Sequence, residues 1–398
     1  MIMISEAMYA LGAKKSCIRE LFEYGMRQSA VVGAENVYDF SIGNPSIPAP
    51  QKVKDAFVRL LTERDSLEIH GYTPAAGRMD AREAIAEGLN RRYNECIRPQ
   101  NIFFTCGAAP ALVALIRALA VDGAEILAIA PYFPEYRPFV ESNGMRFTIV
   151  PADTDAFQIS FSALEAQLTP HTQAVIVNSP NNPSGVVYTE ETLRRLGAIL
   201  KRKSREYGHF IYIIADEPYR ELAYDGVKVP FIPSVYPDTV VCYSFSKSLS
   251  LPGERIGYIC VPDCAAESQK LFTAVAGAAR TIGHVCAPSL LQLVAAEAVQ
   301  AGACPDLEAY DRNRVMLYEA LTSYGYQCVK PTGAFYMFVK APDGDAAAFS
   351  ELAKGENLLI VPGGDFGCPE FFRISTCVAP EMIERSLSVF KRLIESIN

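Results

Sequence analysis

The sequence predicts an α/β protein: a three-layer αβα large domain built on a mostly parallel sheet, with a smaller α+β domain formed by both chain ends. Three observations lead there. Short apolar runs of strand length alternate with helical patterns through the middle of the chain, as a mostly parallel sheet covered on both faces requires. Past residue 290 that alternation stops, and a long helical stretch gives way to separated strands and a closing amphipathic helix. The 398 residues also exceed what one core usually supports. The expected division puts residues 46–290 in the large domain and residues 1–45 with 291–398 in the small one, because chain ends often meet.

Taken in order, Ser16 to Gln28 carries Ile18, Leu21, Phe22 and Met26 at helical spacing and reads as an amphipathic helix. Tyr38 to Ser46 reads as a short strand running into a turn. Pro110 to Ala120 is helical. Glu125 to Ala130 is an apolar strand closed by Pro131, and Gln173 to Val177 is another, closed by the turn Asn178 to Gly185. Thr189 is an N-cap candidate, with Glu190 and Glu191 in the first turn of a helix that runs to Gly208. Strands follow at Ile211 to Ala215, ending on Asp216, at Thr239 to Tyr243 and at Gly257 to Val261. The smaller domain takes strands at Gly333 to Val339, Leu358 to Val361 and Phe371 to Ser375. Met382, Ile383, Leu387, Phe390 and Ile394 space a closing helix.

Composition narrows the function. The net charge of -8, without long Lys/Arg runs, argues against nucleic-acid binding. The basic segment Lys201 to Arg205 falls at a helix end, where it complements the helix dipole. Met1 to Ala10 contains Glu6 and has no secretory pattern, and the apolar stretch Ala108 to Val121 is interrupted by Pro110 and Arg117. A cytoplasmic protein that contacts no membrane is expected. The eleven cysteines have irregular spacing, and the histidines are four, at 70, 171, 209 and 284. Core thiols in a reducing compartment are the expected reading, with no metal site.

Three segments carry chemistry. In Tyr243 to Gly257 a strand delivers Lys247 into a turn rich in Ser, with Arg255 eight residues later. Positive charge and low dielectric favour a neutral lysine amine, which attacks aldehydes to form imines. Ser244, Ser246 and Arg255 are donors suited to a phosphate dianion. A salt-bridged surface lysine is the competing reading. Asp216 ends an apolar strand, where ligands of open α/β sheets bind, and its carboxylate there is able to keep a ring nitrogen protonated. Tyr219 follows within reach of a phenolic oxygen; capping of the next turn by Asp216 is the alternative. Gly107, Ala108 and Ala109 open a helix with bare N–H groups and small side chains, a weak anion site by themselves.

Together these residues resemble the class I/II aminotransferases of the fold-type I pyridoxal-phosphate family (the aspartate aminotransferase superfamily). The matching segments run in that family's order along nearly the whole chain. They are Gly43-Asn44-Pro45, Gly71-Tyr72 with Gly77, Gly107 to Ala109, Pro131 to Phe133, Asn181 to Gly185, Asp216 to Tyr219, Ser244 to Lys247, Arg255 to Gly257 and Arg373 to Ser375. The resemblance implies that pyridoxal 5'-phosphate, bound in the large domain, is held on Lys247, which then moves protons between Cα and C4'. It implies that Asp216 partners the pyridinium nitrogen, and that Tyr219 and Asn182 donate to the phenolic oxygen. Ser244, Ser246, Arg255 and the Gly107–Ala109 backbone match the phosphate cup. Phe133 rather than Tyr132 matches the ring that stacks on the cofactor, and Arg373 matches the clamp on the substrate α-carboxylate, aided by the Gly43 backbone and Asn182. Tyr72 matches a residue that reaches the neighbouring subunit's phosphate, which implies a homodimer. The residues alone leave bland readings open: core packing for Phe133, an internal salt bridge for Arg373, turn roles for Tyr72 and Asn182.

The implied reaction is ping-pong transfer of an α-amino group to a 2-oxo acid. Some aspartate-specific relatives carry a lysine two residues after the cup glycine, where this chain has Ala109. A dicarboxylate then needs another cation, with Arg280 and Arg137 as candidates, and His284 as a further lining candidate. A neutral or aromatic amino acid is therefore the expected donor, with glutamate/2-oxoglutarate as a second pair. The same residues also suit a C–S β-lyase of this fold. A cofactor-binding transcription regulator would need a helix-turn-helix domain ahead of Gly43, where only about forty residues without a basic recognition helix stand. A dinucleotide-binding dehydrogenase is excluded by Gly363 to Gly367, which lacks the required glycine pattern.

Overall fold

The structure is a computed structural model and describes residues 4–13 and 16–397. The strands, in chain order, are β1 (Tyr38–Asp39), β2 (Ile102–Thr105), β3 (Glu125–Ile129), β4 (Arg146–Val150), β5 (Thr172–Asn178), β6 (Tyr212–Asp216) and β7 (Thr239–Ser244). They continue with β8 (Gly257–Cys260), β9 (Gln327–Cys328), β10 (Tyr336–Lys340), β11 (Leu358–Leu359), β12 (Val361–Pro362) and β13 (Phe371–Ser375). Two compact units result. The larger holds Ile47–Ala309 with Thr332–Ala334; the smaller holds Met1–Ser46, Tyr310–Pro331 and Phe335–Asn398.

The larger unit is built on a seven-stranded sheet of order β2-β8-β7-β6-β5-β3-β4. The pairs from β7 through β4 are parallel, while β8 runs antiparallel to both of its neighbours. β3, β6 and β7 are buried along their whole length, which is why they read as unbroken apolar runs. At the start of β3, Glu125 accepts hydrogen bonds from Thr169, Thr172, Thr148 and Arg146. Burial pushes that carboxyl up, but these donors outweigh it and hold it below the usual range. The Thr189 hydroxyl caps helix Glu190–Tyr207 by accepting from the Thr192 N–H at 3.0 Å, and Gly208, at φ +77°, ends it.

The second boundary falls at 309/310 rather than at the expected 290/291. Helix Ser289–Gln300 buries Leu291, Leu293, Val294, Ala295 and Ala298 in the large core, against helices Gln51–Glu63 and Met79–Tyr93. A long helical pattern in the sequence marks no border when the helix it predicts packs backward.

The smaller unit carries an antiparallel sheet of order β12-β13-β10-β9 and the parallel pair β1-β11. Phe40, Leu317, Leu321, Met337, Phe372 and Phe390 centre its core. Ser16 caps helix Cys17–Val32, and Pro380–Glu395 is the closing helix. The Leu358 to Val361 strand is interrupted at Ile360 and serves two sheets, as β11 and β12. No helix among the described residues is long and apolar enough to cross a membrane.

Candidate active site

β5, β6 and β7 run in parallel and end on Asn178, Asp216 and Ser244. Asn178 is directly opposite Asp216 in the register, and Cys242 faces Asp216 from the other side. Beyond these carboxyl ends lies a cavity of about 190 Å³. Its lining includes Ala108 and Ala109 from helix Ala108–Ala118, Phe133, Asn182, Tyr219, Ser246, Lys247 and Arg255, besides the three strand ends. Leu112, Pro218 and Pro252 complete it. Residues that the sequence analysis took from five separate segments thus meet at one place in the larger unit.

At one side of the cavity the groups suit an anion. Gly107 precedes helix Ala108–Ala118 at φ +95°, and no side chain caps that helix. At this φ glycine is favoured, and a Cβ there would stand 2.6 Å from Arg255 Nη2 and push the guanidinium aside. The Ser244 and Ser246 hydroxyls lie 2.7 Å apart, and Arg255 Nη1 donates to Ser246 Oγ at 3.4 Å and to the Pro252 carbonyl at 2.9 Å. Lys247 is half-buried on the short helix Phe245–Ser248 that Ser244 caps.

Asp216 is 5% exposed. The Tyr136 hydroxyl donates to its Oδ2 at 2.5 Å, and Asn178 Nδ2 donates to its backbone carbonyl at 2.8 Å. Oδ1 is buried and has no hydrogen-bond partner among the described residues. Burial pushes the carboxyl up to about 7; the Tyr136 bond opposes that rise, and neighbouring Glu217 adds to it. Asn178 Oδ1 also accepts the Asn182 N–H at 2.7 Å, which fixes the turn that carries Asn182. Phe133 meets Tyr136 edge to face at 5.7 Å, whereas Tyr132 packs on Phe147 and does not line the cavity.

Tyr136 and Asn178 are the residues the sequence analysis missed. Asn178 ends an apolar strand as Asp216 does, so the same strand-end signal applied to it. Tyr136 stands three residues after Phe133, but its bond to Asp216 spans 80 positions and leaves no trace in spacing.

The remaining expected residues lie elsewhere. Gly43 and Arg373 belong to the smaller unit. Arg373, on β13, is 2% exposed, donates from Nη2 to the Ser41 carbonyl at 2.5 Å, and lies over the rings of Tyr336 at 4.7 Å and Phe366 at 5.1 Å. A Cβ on Gly43 would collide with the Tyr336 hydroxyl. Tyr72 is 93% exposed and does not line the cavity. Neither do the candidate cations. Arg137 pairs with Glu141 at 2.9 Å and stacks on Phe147, and Arg280 is exposed in the last turn of helix Ser268–Thr281. His284 is 3.2 Å from the Phe104 carbonyl through Nε2 and stands outside the lining as well.

Comparison with known proteins places these features in a family context. The family described as aminotransferase class I and II matches residues 35–390. An aspartate aminotransferase of Bacillus subtilis is 31% identical over 379 residues, covering 90% of this chain and 92% of the relative. An aspartate/prephenate aminotransferase of Thermus thermophilus is 32% identical over 361 residues, covering 88% and 89%. Among solved structures, an amino transferase from Eubacterium rectale superposes with a TM-score of 0.98 at 54% identity, over 100% of both chains.

Proposed function

The chain belongs to the class I and II aminotransferases, and from that premise we propose how its own residues carry out the transfer and on which amino acids. It is a pyridoxal-phosphate-dependent enzyme that moves the amino group of an amino acid to a 2-oxo acid. The C–S β-lyase reading is not favoured, since the relatives above are named as aminotransferases.

The residues present fit the cofactor. A buried carboxyl oxygen with no partner, Asp216 Oδ1, suits a ring N–H, and the cradle at Gly107 beside Arg255, Ser244 and Ser246 suits a phosphate. Bound pyridoxal phosphate supplies a carbonyl carbon that condenses with amines and a ring that takes up the electron pair left at the substrate Cα. Lys247 anchors it. The Lys247 amine, when not bonded to the cofactor, would take the proton from the substrate Cα and return it at C4'. Asp216 keeps the ring nitrogen protonated, and Tyr219 and Asn182 donate to the phenolic oxygen. Ser244, Ser246, Arg255 and the N–H groups of Gly107, Ala108 and Ala109 hold the phosphate, and Phe133 covers the ring face. Arg373 takes the substrate α-carboxylate, with Gly43 and Asn182 as further donors; such orientation supplies much of the rate gain.

The observation that carries this reading is the meeting of Lys247, Asp216 and Arg255 in one cavity. We further propose a neutral or aromatic amino donor, with 2-oxoglutarate as acceptor. Ala109 offers no charge to the cavity, and Arg137 is already paired. The working form is a cytoplasmic homodimer in which Tyr72 reaches the partner's phosphate; the exposure of its ring and the free state of the eleven cysteines support this.

The test is spectroscopic. Amino acids are added one at a time to the loaded protein, and the productive donor converts the visible band of the lysine-linked cofactor to the near-ultraviolet band of its amine form. Turnover of aspartate far above that of alanine, leucine and phenylalanine would overturn the substrate proposal. Normal transamination by Lys247→Ala would overturn the role of Lys247.

A further inference from the structure

We infer that Tyr136 is a positioning residue for Asp216: its hydroxyl claims one carboxyl oxygen and thereby leaves the other, Oδ1, for the cofactor's ring nitrogen. The inference rests on the cofactor reading above and deepens it. Tyr136 is 1% exposed, and its hydroxyl is 2.5 Å from Oδ2. Asn178 Nδ2 holds the Asp216 carbonyl at 2.8 Å and lies 3.5 Å from the same Oδ2. The carboxyl group is therefore fastened at one oxygen by a side chain from helix Tyr136–Glu141 and at its backbone by the neighbouring strand. Turning the carboxylate plane away from this position would leave the phenol unsatisfied in the core, a loss of the kind folded proteins avoid. The same tyrosine meets the Phe133 ring edge to face, at 81°, so one turn of chain sets both the ring cover and the carboxyl direction.

Tyr136 makes the short bond to Oδ2, Asn178 Nδ2 adds a long one at 3.5 Å, and the other groups around Asp216 do not take over this task. Cys242 faces Asp216 from β7, but burial keeps that thiol protonated, and thiols are weak donors. Glu217 follows in sequence and adds negative charge; it is paired with Arg220 at 2.6 Å. Tyr219 acts electrostatically on Tyr136, and Lys247 and Arg255 line the same cavity. The Tyr136 phenol itself is pushed well above its ordinary value, first by burial and then by the Asp216 charge, so it stays a donor at every working pH.

A purely structural Tyr136 would only fill space, and Tyr136→Phe separates the two roles by keeping the ring and removing the donor. The Asp216 carboxyl is titrated by infrared difference spectroscopy in the cofactor-free protein, with Asp216→Asn as the blank that identifies its band. The expected midpoint is about 7 in the unaltered chain and at least about one pH unit higher in Tyr136→Phe. With 3-fluorotyrosine at position 136, a stronger donor in an unchanged fold, the midpoint is expected to fall. In equilibrium dialysis, Tyr136→Phe is expected to bind pyridoxal phosphate about tenfold more weakly. A midpoint that stays within about a third of a pH unit with both replacements would overturn the inference. The infrared titration needs no cofactor. Failure of the unaltered protein to bind pyridoxal phosphate would strike the functional reading alone, and a flat titration in a protein that does bind it would strike only the role of Tyr136.

Discussion

Folding removes Asp216 from water, and burial lifts its carboxyl from an ordinary 3.8 to about 7. The folded chain therefore binds that proton more tightly than the unfolded chain does. The resulting stabilisation is fully present below pH 3.8 and is lost as the pH rises through about 7. Above that range the cofactor-free protein keeps a buried anion, answered by the Tyr136 hydroxyl. Asp216→Asn cannot ionise. Relative to the unaltered chain, the cofactor-free variant is expected to gain roughly 2–4 kcal/mol at about pH 8, and the gain is expected to vanish at about pH 4. Urea melts at the two pH values measure it, and a difference independent of pH would show that Asp216 does not titrate in this window. With the cofactor held as proposed, the sign would reverse, because the anion would then face a cationic ring nitrogen. The charge that weakens the empty fold would then strengthen the loaded one.

The turn after β6 shows how elements hold such residues in place. Arg220 is 2% exposed and binds Glu217 Oε2 at 2.6 Å and the Tyr258 hydroxyl on β8 at 2.9 Å, with the Tyr243 ring of β7 at 4.6 Å. The Tyr243 hydroxyl in turn bonds Glu221 and Ser248, next to Lys247. One buried cation thus ties the ends of β6, β7 and β8, the strands that carry Asp216, Ser244 and Gly257, two residues after Arg255. Arg220→Leu would strand Glu217 in the core and is expected to cost about 3–5 kcal/mol. Adding Glu217→Gln should recover a large part of that loss, because no unpaired charge remains. Denaturant midpoints of the single and double variants decide this, and strictly additive losses would mean the two side chains do not act as a pair. None of this network was legible in the sequence, where Arg220 and Glu217 are two charges in a turn. β3, β5, β6 and β7 were legible because burial on both faces writes an apolar run. β4 was not: it is an edge strand in which exposed Arg146 and half-buried Thr148 and Ile149 interrupt the buried Phe147 and Val150. β2 was overlooked for a different reason, since it is only four residues long and runs straight into the Gly107 turn. The cavity lining was largely legible, because the residues at strand ends and in glycine turns announce themselves locally. Tyr136 was hidden because only the folded chain brings it to Asp216.

At the scale of the whole molecule, Tyr72 poses the remaining question. Its ring is 93% exposed. If Tyr72 completes the phosphate site of a second copy, the enzyme is a dimer whose two sites each draw on both chains, and complementation between two crippled chains reveals it. A Lys247→Ala chain lacks the anchoring amine but carries an intact Tyr72. A Tyr72→Ala chain has the reverse defect, and its homodimer is expected to bind cofactor about tenfold more weakly, the loss of one hydrogen bond to a charged group. In the mixed dimer, one site pairs Lys247 of the second chain with Tyr72 of the first and is whole; the other lacks both. At a cofactor concentration that leaves the Tyr72→Ala homodimer mostly empty, mixing and reassociating the two chains should therefore raise activity above the sum of the separate proteins. If Tyr72 served its own chain, every surviving Lys247 would still sit beside an alanine and mixing would restore nothing. The outcome depends on the path of one side chain between subunits, and no property of either homodimer alone imitates it.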